Sequence, residues 1–421
     1  VSSEHPGLRS MTVNAGFLPF QRALALVVGS APIRDEREAE DWLRLLAAVP
    51  ARIEQERALL RGGIAQGWVP SRAVVREALR QIDVQLEAPV GRSPFLEPLR
   101  RIGARIDPAY REAHRARAIE AFERDVLPAL RAFRAFVAGE YLEAAPEEGG
   151  LGRYPGGDAA YRALVRMHTT LPLEPDALHA LGLDKGRRIA GEIEAIRRAS
   201  GRGVPGEREG AEAGARFDGP EAVIGAFRDW IARIDAAMPR VFAPRPAAPL
   251  RVMPLPAGFG AGAVDRYARP PLDGPGEGRL FVNVVGWRTR AARQVPCIAL
   301  HEGPPGHHQQ QALAVESTDL PRVLRTADFT AFNEGWALYA ETLWPDLGLE
   351  LDADARIGCL QLMAWRAARL VVDTGLHARG WTRAQARDHL IRHTSLDPDT
   401  VEAELNRYLS DPGQALAYSV G

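Results

Sequence analysis

Apolar side chains recur at three- and four-residue spacing through the first two hundred residues, which is the pattern of amphipathic helices. Trp42, Leu46 and Ile53 follow this spacing in one such stretch. Proline and glycine interrupt or end the stretches, because neither residue suits a helix interior. The predicted helical segments are 38–67 with an interruption at Pro50, 71–89 with Ser71 as N-cap, 109–142 with a kink at Pro128, 174–200 as a short helix, a Gly-containing turn and a longer helix, and 219–238.

The pattern changes after residue 238. The segments 249–256 and 279–286 resemble β-strands, and loops rich in proline and glycine separate them. Helical patterning returns at about residue 290 and continues from there. The predicted fold class is therefore mainly α, with a small β-sheet at about 249–286.

A glycine-rich, charged segment at 201–214 is the best internal boundary, although a surface loop would have the same composition. We predict a helical N-terminal region at 1–214 and a second region at 215–421 that contains the β element. We expect the two regions to pack together as one domain.

Composition excludes several classes of protein. The 421 residues are 46% hydrophobic and 25% charged, as in an ordinary globular protein, and a net charge of -1 argues against a nucleic-acid partner. We expect no membrane span, since no apolar run approaches the roughly 18 residues required. Cys297 and Cys359 form no C-x-x-C pair, so we expect buried free thiols. No signal peptide is visible, which leaves a cytoplasmic protein or an exported one with a processed N-terminus.

The segment "HEGPPGHH" at 301–308 begins like the zinc signature H-E-x-x-H but has Pro305 in place of the second histidine. On an unbroken helix His307 would point about 240° away from His301, and His308 would lie about 10.5 Å further along the axis. The Pro-Pro pair and the glycines on either side of it must break the helix, however. A break of this kind can return His307 to the side of His301.

A zinc site needs a third protein ligand, and Glu334 in the helical stretch "FNEGWALYAE" is the best one. We therefore predict one Zn²⁺ per chain, held by His301, His307 and Glu334. Glu302 would be the catalytic general base that takes a proton from the metal-bound water. The alternative is a polar, Pro-rich surface loop that binds no metal.

With these residues identified, the chain resembles the bacterial family of domain of unknown function 885, a zincin-like group. The resemblance rests on several ordered motifs, chiefly H-E-x-x-P-G-H followed by E-G-W-A-x-Y-x-E. It favours His307 over His308 as the ligand, because the position after the motif histidine varies in such proteins. It also implies a mostly helical metallopeptidase architecture with a deep cleft and a small sheet beside the metal helix. Members of the family usually extend beyond both ends of this chain.

Three further residues are predicted to serve the reaction. His377, with Asp373 one helical turn before it, could donate to the oxyanion of the tetrahedral intermediate, or the two could be an ordinary interhelical pair. Tyr418 could donate its phenol proton to the same oxyanion, or be a packed aromatic residue. Asn283 could bind the substrate backbone from an edge strand, or cap a turn.

The sequence thus predicts a zinc-dependent hydrolase, a metallopeptidase that cleaves short peptides. One alternative is a zinc amidase that acts on non-peptide or modified amino-acid amides. Another is a catalytically silent protein that binds peptides, although retention of Glu302 argues against it. The expected partner is a short peptide or small amide substrate, and the oligomeric state is not specified by the sequence.

Overall fold

Helices dominate the structure, which is a computed structural model that describes residues 4–103, 106–201, 216–255, 264–274 and 276–421. The prediction of a mainly α fold is confirmed. Among these residues, no helix is both long enough and apolar enough to cross a membrane. The helices are α1 Phe20–Ser30, α2 Glu36–Ala47, α3 Val49–Ala65, α4 Arg72–Glu87, α5 Pro108–Ala121, α6 Leu127–Phe136, α7 Leu142–Ala144, α8 Gly157–Thr169, α9 Pro175–Ala199, α10 Pro220–Ala237, α11 Val295–Glu302, α12 His307–Glu316, α13 Arg322–Thr326, α14 Thr330–Ala340, α15 Ala353–His377, α16 Arg383–His393, α17 Pro398–Ser410 and α18 Ala417–Val420.

Two prolines of the first half lie at helix starts, and the interruption predicted at Pro50 is present. Pro50 lies in the first turn of α3, directly after α2 ends. Pro128 lies in the first turn of α6, after a π-helical turn at Phe122–Val126. A proline is tolerated there, because the backbone N–H it lacks has no partner in the first turn. Ser71 is the N-cap of α4 as predicted, but its hydroxyl makes no capping hydrogen bond.

The prediction of a turn within 174–200 is wrong, since α9 runs without interruption through this segment. Gly182 lies inside α9 where that helix packs against α15. A Cβ at this position would lie 2.8 Å from Leu370 Cβ and 2.9 Å from the carbonyl oxygen of Ala367. The glycine thus permits two helices to cross closely. A glycine at a turn and a glycine at a close helix crossing look the same in the sequence pattern.

The predicted sheet is present and has three strands in the order β1-β3-β2. β1, Leu250–Pro254, pairs in parallel with β3, Gly278–Val282, and β2, Arg266–Ala268, pairs antiparallel with β3. Leu280 and Val282 are fully buried on β3, and they pack in one core with α10 and α11. The sheet therefore supports the helix that carries His301.

The chain forms two compact units, residues 1–160 with 406–411, and residues 161–405 with 412–421. The core of the first unit is built around Trp42, Phe95 and Phe133. The core of the second unit joins α10, the sheet and α11. The predicted boundary segment lies, apart from residue 201, outside the described residues.

Cys297 and Cys359 form a disulfide, with their Cα atoms 5.5 Å apart. The prediction of free thiols is wrong, although both side chains are buried as expected. Cys297 lies on α11 and Cys359 on α15, and these helices pack against each other. The two cysteines are 62 positions apart in the sequence, and the residue pattern did not predict that contact.

Candidate metal centre

A sharp turn separates the two histidine-bearing helices. α11 ends at Glu302 and α12 begins at His307. The turn depends on Gly306, where a Cβ would lie 2.0 Å from the carbonyl oxygen of His301 and 2.4 Å from that of Leu300. As a result the rings of His301 and His307 are 4.8 Å apart and nearly perpendicular.

Three donor groups converge beside this turn. Glu334 Oε2 lies 3.6 Å from His301 Nε2 and 3.5 Å from His307 Nε2. One donor atom from each residue lies within 4.8 Å of the other two. Ligands of a tetrahedral zinc, each about 2.0–2.2 Å from the metal, are themselves about 3.3–3.6 Å apart. The chemistry of the three donors, and the two distances to Glu334, therefore fit a divalent cation of the zinc type.

The turn is also tied to the helix that carries Glu334. The indole Nε1 of Trp336 donates a hydrogen bond of 2.7 Å to the carbonyl oxygen of Pro305. Trp336 and Glu334 lie two residues apart on α14, so this bond fixes the turn relative to Glu334. Trp336 thus supports the site from behind.

Burial and charge define the electrostatics of the three donors. Burial disfavours the imidazolium of His301, but Glu334 and Glu341 outweigh this effect and raise its pKa. Burial likewise disfavours the Glu334 carboxylate, but the two imidazoles outweigh it and lower its pKa. The Glu334 Oε2 atom is nevertheless buried without a hydrogen-bond partner among the described residues. An ionised oxygen in that position can receive a cation.

Glu302 is the next carboxyl group in this cluster. It is 8% exposed, and its Oε2 atom has no hydrogen-bond partner among the described residues. Burial raises the pKa of Glu302 to about 8, and the neighbouring Glu334 and Asp265 carboxyls add to the shift against the opposing effect of His307. Such excess negative charge is what a bound divalent cation would offset.

His308 points elsewhere. Its Nδ1 atom lies 3.1 Å from the hydroxyl oxygen of Tyr267 on β2, and it is not part of the three-donor group. Burial lowers its pKa to about 4, so the ring is neutral near pH 7. His308 therefore joins α12 to the sheet, and His307 is the histidine that faces His301.

A second layer of residues lies behind His301. Glu341, directly after α14, places its Oε1 atom 2.8 Å from His301 Nδ1. Arg366 on α15 contacts the same oxygen at 3.2 Å. Sequence reasoning missed both residues. The downstream motif contains Glu341, but its partner lies on a helix that the motif does not include.

The residues predicted to stabilise the oxyanion separate in the structure. The Tyr418 ring stacks on His301, 6.3 Å between ring centres. The Arg369 guanidinium carbon lies 4.4 Å from the centre of the same Tyr418 ring. His377 instead stacks on Tyr161, 5.2 Å between ring centres. It lies eleven residues after Arg366 on α15, or about 16 Å along the helix axis. Tyr418 thus contacts a residue of the metal cluster, His301.

The partner of His377 also serves packing. Asp373 is fully buried and accepts hydrogen bonds from the Tyr161 hydroxyl at 2.5 Å and the Gly413 backbone N–H at 3.1 Å. The predicted Asp373–His377 unit thus lies among structural contacts within the second unit of the chain.

Asn283 directly follows β3, which is the middle strand of the sheet. Both sides of β3 are paired, so it cannot be the edge strand that we expected. The Asn283 Oδ1 atom accepts from the Val285 backbone N–H at 3.0 Å, and the Asn283 N–H donates to Asp265 at 2.7 Å. Asn283 thus caps a turn, which was the alternative prediction, and β1 and β2 form the edges.

Comparisons with known proteins agree with this architecture. A structure from Colwellia psychrerythraea, described as a "putative lipoprotein", is similar with a TM-score of 0.90 and 27% identity, over 97% of this chain and 72% of that chain. A structure from Shewanella oneidensis, described as a "putative lipoprotein of unknown function", has a TM-score of 0.66 and 16% identity, over 91% of this chain and 70% of that chain, and so supports the fold alone. No curated protein matches the chain. The family model described as "Bacterial protein of unknown function (DUF885)" matches residues 6–421, and the chain therefore belongs to that family.

Proposed function

We propose that the protein is a zinc-dependent hydrolase, a zincin-like metallopeptidase that cleaves short peptides. The observation that carries the proposal is the convergence of His301, His307 and Glu334 within 4.8 Å, with the Glu302 carboxyl beside them. The three donors would hold Zn²⁺ and leave a fourth position open, which is the arrangement of catalytic rather than structural zinc. When bound, zinc would polarise the scissile carbonyl and lower the pKa of water.

Glu302 would act as the general base. Its carboxyl follows His301 directly in the chain, and one of its oxygens has no hydrogen-bond partner among the described residues. That oxygen would accept a proton from the attacking water and return it to the leaving amine. A glutamate in this position has no use in a purely structural site, which argues against a catalytically silent protein.

Tyr418 would stabilise the negative charge that develops on the carbonyl oxygen. The stacking of its ring against His301, 6.3 Å between ring centres, supports this role. A phenol donor aimed at such an oxygen contributes about 10²–10³ in rate. His377 is a weaker proposal for this role because its ring stacks on Tyr161.

A zinc amidase that acts on non-peptide or modified amino-acid amides would use the same four residues. Substrate profiling on peptides and small amides separates the two activities. Preference for peptides of three or more residues supports the peptidase, and turnover confined to small amides supports the amidase.

The disulfide favours an exported protein over a cytoplasmic one. Cys297 and Cys359 are bonded, and disulfides persist mainly in oxidising compartments. The relative from Colwellia psychrerythraea is described as a "putative lipoprotein", which agrees with this location. Fractionation of the native host with an antibody against the protein tests the proposal.

The first test is metal content, measured by mass spectrometry on protein purified without added metal or chelator. We expect about one zinc per chain in the wild type and none in Glu334→Ala. Glu302→Gln should keep its zinc and lose hydrolysis of a peptide library. A wild type that takes up no zinc, even after zinc is added, would overturn the proposal, as would full activity of Glu302→Gln.

A further inference from the structure

One carboxylate oxygen connects the candidate metal centre to a buried cation. Glu341 Oε1 lies 2.8 Å from His301 Nδ1 and 3.2 Å from Arg366 Nη2. The Glu341 side chain is fully buried and the Arg366 side chain is 9% exposed. An ion pair with so little water around it is costly to break, because removing one partner leaves the other charge buried and unpaired.

The three residues come from three different elements. His301 is near the end of α11, Glu341 directly follows α14, and Arg366 lies in the middle of α15. Arg366 Nη1 also donates to the carbonyl oxygen of Leu362, one turn earlier on its own helix. The guanidinium is therefore held at both ends, and it holds the Glu341 carboxylate in turn.

The other histidine has a different partner among the described residues. His307 Nδ1 contacts Gln311 Nε2, at 3.5 Å on the following turn of α12. A neutral amide at that distance restrains an imidazole weakly. The two histidines thus differ: His301 has a charged, buried acceptor on its far nitrogen, and His307 has an amide.

We infer that Glu341 and Arg366 are positioning residues that fix the ring of His301 for metal binding. Glu341 accepts a hydrogen bond from the Nδ1–H group of His301, which leaves the Nε2 lone pair directed toward Glu334 and His307. Arg366 holds the carboxylate in place through its 3.2 Å contact with Oε1. The inference rests on the proposed zinc site, since it assigns a role to the outer layer of that site.

A purely structural role is the alternative. In that case the Glu341–Arg366 pair joins α14 to α15, and its loss lowers stability without changing affinity for zinc. The two roles are separable, because outer partners of metal-binding histidines typically change metal affinity by 10–100-fold.

The experiment measures zinc dissociation constants by competition with a chromogenic chelator, together with the Tm of each metal-free protein. The variants are Glu341→Gln, which has the same shape without the charge, Glu341→Ala and Arg366→Gln. The matched control is Glu404→Gln. Glu404 lies on α17, is 5% exposed and pairs at 3.3 Å with Arg369, which lies on α15 as Arg366 does.

We expect Glu341→Ala to weaken zinc binding about 100-fold and Glu341→Gln and Arg366→Gln about 10-fold. Glu404→Gln should lower the Tm and bind zinc as the wild type does. As a second readout, the visible absorption of bound Co²⁺ should change in the Glu341 variants and stay unchanged in the control.

The inference is overturned if both Glu341 variants bind zinc within twofold of the wild type, whatever their Tm. A wild type that binds no zinc overturns both this inference and the proposed function. A wild type that binds zinc tightly, loses affinity in the Glu341 variants and hydrolyses no peptide or amide supports the inference and overturns the function alone.

Discussion

Gly306→Ala is the sharpest single test of how the chain builds its histidine pair. An added Cβ would lie 2.0 Å from the carbonyl oxygen of His301 and 2.4 Å from that of Leu300. Ordinary contacts begin at 3.4 Å, so the turn must open by about 1.4 Å, the difference between 3.4 and 2.0 Å. Both obstacles are backbone atoms, which cannot rotate away as a side chain does.

The two consequences have different sizes. Overpacking of this kind costs about 1–3 kcal/mol of folding free energy, which lowers the Tm by several degrees. Metal–ligand distances tolerate only about 0.2 Å. If the turn opens by about 1.4 Å, His301 and His307 move apart, and zinc affinity should fall by more than about 100-fold. This loss is larger than the 10–100-fold typical when an outer partner of a metal-binding histidine is removed.

The assay is chelator competition for zinc on Gly306→Ala, with Gly225→Ala as the matched control. Gly225 lies within α10 of the same unit, and a Cβ there would meet nothing within 4 Å. Alanine in that helix should raise stability by about 0.5–1 kcal/mol and leave zinc affinity unchanged. If Gly306→Ala binds zinc within threefold of the wild type, the argument that this turn sets the ligand spacing is refuted.

Three further outcomes are expected. Replacing Cys297 and Cys359 by serine removes a cross-link over 62 residues and should cost about 4 kcal/mol, measured by chemical unfolding; a loss below about 1 kcal/mol would contradict a bonded pair in the purified protein. His307→Gln should lose zinc and His308→Gln should retain it in mass spectrometry, and the reverse result would exchange their roles. Burial lowers the pKa of His168 to about 4, below its unfolded value of about 6.5. Between these two pH values the unfolded chain binds more protons than the folded chain does. The free energy of unfolding should therefore fall as the pH drops from about 6.5 to 4. Urea unfolding at pH 7.5 and pH 5 should show a smaller pH effect for His168→Gln than for the wild type, and an equal effect would contradict the buried neutral state.

Local sequence patterns predicted where many of the helices lie, but they did not predict how the helices contact one another. Periodicity reports which face of a helix is buried, and proline reports where a helix can begin, so the ends of α3 and α4 follow from the residues near Pro50 and Ser71. The misread Gly182 and the missed strand β2 have a different origin. Gly182 is explained by Leu370 on another helix, and β2 has three half-buried residues paired with β3.

The candidate site divides in the same way. His301, Glu302 and His307 lie in one segment, and chemistry and the helix-breaking residues between them suffice to group them. Glu334 could be identified because a zinc site needs a third ligand. Arg366 could not, because no motif near it in the sequence points to Glu341, and the two residues, 25 positions apart, meet only in the folded chain.

The break between His301 and His307 also changes which contacts set the distance between the two histidines. In a regular H-E-x-x-H helix, the backbone hydrogen bonds of the helix itself set the spacing of the two histidines. Here that ladder ends at Gly303, whose N–H is the last to bond back into α11, and α12 starts anew. Spacing must then come from outside the helix: from the close approach at Gly306 and from the Trp336 bond to Pro305. Such a site should therefore be unusually sensitive to substitutions that touch no ligand, and Trp336→Phe, which removes that one bond and keeps an aromatic ring, should weaken zinc binding while Glu334 remains in place.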